Sequence, residues 1–307
     1  MSVLTQDKDE GTRRRPPWEE EPGKVGLTAK GVILGIALLA IVFPLWIVVI
    51  TSLSDAETIS RTGGLVVWPQ GITFDAYREL LSGGQVARSM VISICLTLVG
   101  TAFSMTVSVL AAYGLTRMGS LWHRSLLMTL LATMFFGGAG LIPSYLLIQT
   151  LGLMNSYGAL ILPMAVSVFN VLVLRAFFMN VGQELMDSAR IDGAGEFRIL
   201  WQIVLPLSRA VIAVISLFYA VAYWGNWFSA FIYITDQEKM PLQNVLQQLV
   251  IAGERPAGMA QVIGTGQIPS IAVQTAVMVL ALVPVAVLSP FVQKHFKKGM
   301  LIGAVKG

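Results

Sequence analysis

Six apolar runs alternate with polar connections along the chain, at 32–50, 89–113, 126–147, 157–174, 210–234 and 268–292. None of the six contains Asp, Glu, Lys, Arg or His. A stretch of about 20 apolar residues is what a helix needs to cross the hydrocarbon of a bilayer. The pattern therefore predicts an all-α polytopic membrane protein with six transmembrane helices. The third run is interrupted by Gly137, Gly138, Gly140 and Pro143. The first is too long for a cleaved leader, and Asp55 and Glu57 follow it without a small-residue cleavage site, so it reads as a retained span.

Basic residues orient the bundle. With both ends in the cytoplasm, sixteen of the 21 Lys and Arg residues fall inside, leaving Arg61, Arg78, Arg88, Lys239 and Arg255 outside. Residues 1–30, with Arg13, Arg14 and Arg15 before two prolines and then Glu19 to Glu21, read as a disordered cytoplasmic tail ahead of a six-helix transmembrane domain at 31–307. Residues 51–88 and 235–267 are long external loops. The second holds an amphipathic stretch at 242–250, readable as a helix on the membrane surface or as a contact for another protein.

Composition agrees. Of 307 residues 55% are hydrophobic and 12% charged, about half the charge of an average soluble domain. A net charge of +4 leaves no nucleic-acid footprint. Cys95, alone and in an apolar run, reads as a small core residue. His123 and His295 fall at span edges and read as solvated interfacial residues, so no metal site is expected. There is no G-x-x-x-x-G-K-[ST] phosphate loop and no carboxylate within a span to bind sodium or relay protons. Uphill transport would need energy from another subunit, and this chain is expected neither to be an enzyme nor to bind a cofactor.

Residues 182–206 are the most informative connection. Glu184, Asp187 and Ser188 favour the start of a helix, Gly193 supplies a turn, and a second helix ends before Pro206. Phe197, Leu200, Trp201 and Val204 recur at helical spacing. Such a pair could cap the bundle or dock into a partner.

The same stretch resembles the EAA loop of ABC-importer permeases, whose pattern is E-A-A, three residues, Gly, nine residues, I-x-L-P. Here Asp187, Ser188, Ala189, Gly193, Ile203, Leu205 and Pro206 take those positions, with Asp for the usual Glu and Ser for the usual Ala. Residues 111–117 (Ala-Ala-Tyr-Gly-Leu-Thr-Arg) are similar to the A-x-Y-x-x-x-R end of the second span in carbohydrate-importer permeases. Segments at 140–147, 151–156 and 157–163, and Trp68-Pro69 with 74–77, fit the same family. The C-terminal 298–307 looks like its polygalacturonan, aldouronate and alginate oligosaccharide branch.

The resemblance implies a type I ABC importer permease fold in a bacterial cytoplasmic membrane. It implies a second homologous permease subunit, two ATPase subunits that use ATP and Mg, and an extracytoplasmic sugar-binding protein. In the coupling loop, Glu184, Asp187, Ser188, Ala189, Arg190, Asp192, Gly193, Ala194, Leu205 and Pro206 would face an ATPase. Sugars are bound by aromatic faces and amides, which makes Tyr219, Tyr223, Trp224, Asn226, Trp227, Asn170 and Tyr145 candidates for the substrate path. Tyr219, Tyr223 and Trp227 share one face if the fifth span is a single helix, and packing is the rival role for each. A permease for another small solute, an ion-coupled carrier and a non-transporting scaffold are the competing functions.

Overall fold

The computed structural model describes residues 24–82, 84–117, 122–135, 140–250 and 270–304, and these are almost entirely helical. Two compact units are distinguished, one ending at Ile47 and the other beginning at Val48. Within the described residues the first is α1 (Lys24–Ser52) up to Ile47, whose Ile33, Leu34 and Leu39 are exposed. At 1.5 Å per residue its 29 residues reach about 44 Å, more than a bilayer's hydrocarbon thickness. The helix begins at Lys24, inside the stretch read as a tail. Residues 1–23 lie outside the described part.

In the second unit the elements are α2 (Ala56–Thr62), α3 (Asp75–Leu81), α4 (Gln85–Gly114), α5 (His123–Phe135), α6 (Leu141–Thr150), α7 (Gly158–Ile161) and α8 (Val168–Met179). They are followed by α9 (Gln183–Ile191), α10 (Glu196–Ile199), α11 (Leu205–Leu207), α12 (Arg209–Trp224), α13 (Trp227–Tyr233), α14 (Leu242–Val250) and α15 (Ser270–Ala304). Among the described residues, three helices are long and apolar enough to cross a membrane singly: α1, α4 and α15 through Val287. Two further pairs pass together but are bent, Gly158–Met164 with α8 by 51° and Glu196–Leu207 with α12 by 87°.

The expectation of six continuous spans is thus corrected at three of them. The third is two helices, α5 and α6, and Gly140 before α6 has φ +82°. The fourth breaks after Pro163, where Ser167 is extended and its Oγ caps α8 by accepting from the Asn170 amide at 3.4 Å. The fifth stops at Gly225, and Asn226 Oδ1 caps α13 by accepting from the Ser229 amide at 3.3 Å. Glycine and an Asn cap are ordinary helix-ending chemistry. With the break, Trp227 does not continue the face of Tyr219 and Tyr223.

The bundle is organised around α4, which packs most extensively on α12 and α8. Its buried face carries Ser89, Ser93, Thr97, Gly100, Ser104, Ser108 and Ala112. Small residues at three- and four-residue spacing let helices approach closely where the hydrophobic effect gives no drive between them. Tyr223 and Tyr219 of α12 fill that face. Tyr223 pairs its hydroxyl with Ser104 Oγ at 2.8 Å, and Tyr219 with Ser108 Oγ at 2.7 Å. Tyr223 also donates to the Ile161 carbonyl at 3.1 Å, and Tyr219 accepts from the Ser167 amide at 3.0 Å. Both bonds satisfy backbone freed by the break in the fourth span. Cys95, expected in the core, is exposed because it lies off this face. His123, expected to be solvated, has Nδ1 buried without a partner among the described residues.

At the Gln85 end of α4, the 51–88 connection folds into α2 and α3, joined by an antiparallel bridge between Ser54 and Ile72. Asp55 caps α2, and the hydrogen bonds from Thr58 hold its carboxyl below the usual carboxylate range. Tyr77 pairs with Ser52 Oγ at 2.6 Å, and burial pushes its phenol up.

Candidate functional site

The 182–206 connection lies at the Gly114 end of α4. Its first helix, α9, starts at Gln183 after Gly182 without a side-chain cap. Asp187 and Ser188 are therefore in the second turn, not at the start, and Asp187 Oδ1 accepts from Arg190 at 2.5 Å. The side chain of Glu184 lies outside the described residues. The helix ends in a full Schellman motif: the Ala194 amide donates to the Ala189 carbonyl at 2.9 Å and the Gly193 amide to the Arg190 carbonyl at 3.0 Å. Gly193 sits at φ +79°, the left-handed conformation that a residue in this place must adopt. Asp192 is the preceding cap residue and is exposed.

The second helix runs from α10 through a π-turn at Leu200–Val204 into α11. Pro206 comes one residue after the π-turn, following Leu205. It lacks the N–H that would bond four residues back, and its ring crowds the carbonyl there, which a π-turn accommodates. Ser208 then turns the chain by 87° into α12.

The four apolar residues expected on one face divide. Leu200 and Val204 are buried, while Phe197 and Trp201 are exposed and stacked with centroids 6.2 Å apart. The buried set, with Met186 and Ile199, joins a single core with Met105 and Ala112 of α4, Leu174 and Phe178 of α8, and Val211 and Ile215 of α12. Ala189, Ala194, Ile203 and Leu205 pack against its edge. The outer face of the pair shows Leu185, Ile191, Phe197 and Trp201, with Ile191 87% exposed. An apolar patch of this kind marks a surface for contact with a protein or with the membrane.

Glu196 is the residue that the sequence reading missed. Its Oε2 accepts from Tyr113 at 2.6 Å and pairs with Arg117, and its Oε1 accepts from Arg190 Nε at 3.2 Å. One carboxylate thereby ties the end of α4 to both helices of the pair. The signal was present: Tyr113 and Arg117 stand four apart in the A-x-Y-x-x-x-R segment, Tyr113 in the last turn of α4 and Arg117 just beyond it, and a hydroxyl and a guanidinium so placed can share one carboxylate. Arg175 adds a bond from Nε to the Leu115 carbonyl at 2.8 Å, fastening α8 to the same end.

The proposed substrate-path residues do not form one cluster. Tyr219 and Tyr223 are buried in the α4 interface, and Trp224 donates its indole N–H to the Ala281 carbonyl at 2.9 Å. Asn170 is buried on α8. Asn226 uses Oδ1 as a cap and sets Nδ2 2.9 Å from Met164 Sδ. Tyr145 is half-buried and stacks on Tyr233 at 6.4 Å. Trp227 is the exposed member, beside Phe228 and Phe231.

A helical bundle with apolar spans, broken helices and a paired-helix connection bound into its core defines a membrane transport permease. The chain is 40% identical to the polygalacturonan/rhamnogalacturonan transport system permease protein YtcP of Bacillus subtilis (strain 168), over 90% of this chain and 96% of that protein. It is equally 40% identical to Protein LplC of the same organism, over 89% of this chain and 92% of that one. A chain in the crystal structure of a bacterial ABC transporter involved in the import of the acidic polysaccharide alginate superposes with a TM-score of 0.84. That chain is 28% identical, and the match covers 92% of this chain and 100% of it. No protein-family model matches. The chain belongs to the permease subunits of carbohydrate-type ABC importers, and its fold is that of such a permease.

Proposed function

We propose that this chain is one of two homologous permease subunits of an ATP-driven importer for oligosaccharides, with uronate-containing chains the favoured class. The observation that carries the reading is the shared core: Met186, Ile199, Leu200 and Val204 of the 182–206 pair are buried with α4, α8 and α12. Movement of the pair must therefore move the helices. The substrates for which the relatives are named, polygalacturonan, rhamnogalacturonan and alginate, support the substrate class.

In this reading each of two cytoplasmic ATPases receives one such pair in a cleft. Leu185, Ile191, Phe197 and Trp201 supply the apolar contact, and Asp187, Arg190 and Asp192 the polar rim. Ser188 and Gly193 add to this contact, Ala189 and Ala194 at the edge of the shared core keep the pair slim enough for close approach, and Leu205 and Pro206 shape the exit to α12. ATP binding brings the clefts together, and the bundle passes between two packed arrangements, open to one side or the other. ATP and Mg act in the ATPases, and this chain supplies no catalytic group. An extracytoplasmic binding protein delivers the sugar at the Gln85 end of α4, and both termini are cytoplasmic. Trp227 and Tyr145 are the path residues with surface to offer, while Tyr219, Tyr223, Trp224, Asn226 and Asn170 shape the walls.

Purification of the chain from its native membrane in mild detergent, with mass spectrometry of what accompanies it, tests this. A second permease and an ATPase are expected. The chain alone, under conditions that keep other complexes intact, would contradict the assignment.

A further inference from the structure

Gln243 and Gln247 stand one turn apart on α14, and both border an open depression of about 250 Å³. Its other walls are Trp227, Leu246, Val250 and Met278. The opposite face of α14 is occupied by packing. Leu242, Val245 and Leu249 are buried, the Leu242 amide donates to Ser93 Oγ at 2.7 Å, and Gln274 Nε2 donates to the Leu249 carbonyl at 3.4 Å. No hydrogen bond joins the side chain of Gln243 or Gln247 to another described residue. Met278 is about two turns inside α15, so the depression reaches into the depth of an apolar helix. Two amides without a partner among the described residues would be costly if that face met hydrocarbon. This face is turned to something polar.

The geometry points to a sugar-contact site, in which Trp227, Gln243 and Gln247 hold one pyranose ring of the transported oligosaccharide. The inference rests on the oligosaccharide reading above and names the site that reading lacks. A half-exposed indole offers a flat apolar surface to the C–H face of a sugar ring. Each glutamine offers two N–H donors and an acceptor to ring hydroxyls. The volume equals about eight waters of liquid, the scale of one ring and not of a chain. None of the six lining residues is charged. The site therefore reads hydroxyls, and a uronate carboxylate must be met elsewhere. Asn226, the amide favoured by sequence, is already engaged as a cap and beside Met164.

The test uses the complete importer in proteoliposomes with uronate and neutral oligosaccharides. Trp227→Ala and the double variant Gln243→Leu/Gln247→Leu are expected to raise the sugar concentration for half-maximal uptake about tenfold, with the importer still assembled with its ATPases. Trp227→Tyr should recover most of the loss. In a Cys95→Ser background, Gln247→Cys should react with a maleimide several-fold more slowly when sugar is present. Normal uptake by the variants and no protection, with a wild type that transports, would overturn the site alone. Cross-linking of Gln247→Cys to the second permease whether or not sugar is present would also overturn it, making the face a subunit contact. A wild type that transports no oligosaccharide would overturn the substrate reading, and this inference with it.

Discussion

Tyr113 and Glu196 are 83 positions apart, and the Tyr113 phenol donates to Glu196 Oε2 at 2.6 Å. The bond joins the end of the central helix to the connection proposed to meet the ATPase. Arg117 and Arg190 reach the same carboxylate, so three donors from two segments converge on one acceptor. The groups are about 40% exposed, and solvent discounts the ion pairs to about 1 kcal/mol each or less. Their value is in holding geometry. Glu196→Ala should leave the protein in the membrane but lower the sugar moved per ATP hydrolysed. The paired exchange Arg117→Glu with Glu196→Arg should recover part of it. An unchanged ratio in Glu196→Ala would show that the carboxylate does not take part in coupling.

Gly193 tests whether the turn has a partner beyond this chain. A Cβ built there meets nothing within 4 Å, so a side chain has room and only the left-handed backbone resists it, by roughly 1–2 kcal/mol. Gly193→Asp should therefore insert and survive purification with a small loss of thermal stability, yet abolish uptake because an ATPase approaches the turn. Uptake near the wild-type rate would contradict that approach.

Gly100 is the reverse case. A Cβ at this position would come within 2.8 Å of the Tyr223 ring, which Ser104 and the Ile161 carbonyl hold in place. Overpacking of this kind costs about 1–3 kcal/mol. Gly100→Ala should lower the melting temperature of the purified complex, and Gly100→Ala with Tyr223→Phe should recover little, because the ring remains. Tyr223→Leu in the same background should recover more. Equal stability of Gly100→Ala and wild type would refute the close approach.

Trp224 anchors α12 to α15 through its indole N–H and the Ala281 carbonyl. Trp224→Phe keeps most of the apolar surface and leaves that carbonyl unpaired, at a cost of about 1–3 kcal/mol. A drop in thermal stability without a change in the sugar concentration for half-maximal uptake is expected. A selective loss of sugar affinity would instead make Trp224 a path residue.

Much of this was legible beforehand because its signals are local. Runs free of charge gave the spans, and Gly193 and Pro206 marked the turn and the exit of the paired helices. The breaks in the fourth and fifth spans were not, since Ser167 and Asn226 become caps only once the fold has room for a bend. The role of Tyr219 and Tyr223 was hidden for a related reason. Each is a path candidate by sequence with packing as its rival role, and only the stripe facing it on α4, from Ser89 to Ser108, puts it in the packing. Read along the sequence, those serines only diluted an apolar run. Glu196 escaped because its partners are supplied by a helix far away in the chain.

The most direct test of the account is a cross-link from the turn itself. Ile191 is 87% exposed at the end of α9, so a cysteine there in a Cys95→Ser background is free to react. In the assembled importer, Ile191→Cys treated with a short bifunctional reagent should join this chain to the ATPase, with a yield that changes when ATP is bound. A control cysteine replacing Val67, in the 51–88 connection, should give no such product. Equal products from both positions, or none to the ATPase from Ile191→Cys in an intact complex, would contradict the claim that residues 182–206 couple ATP hydrolysis to transport.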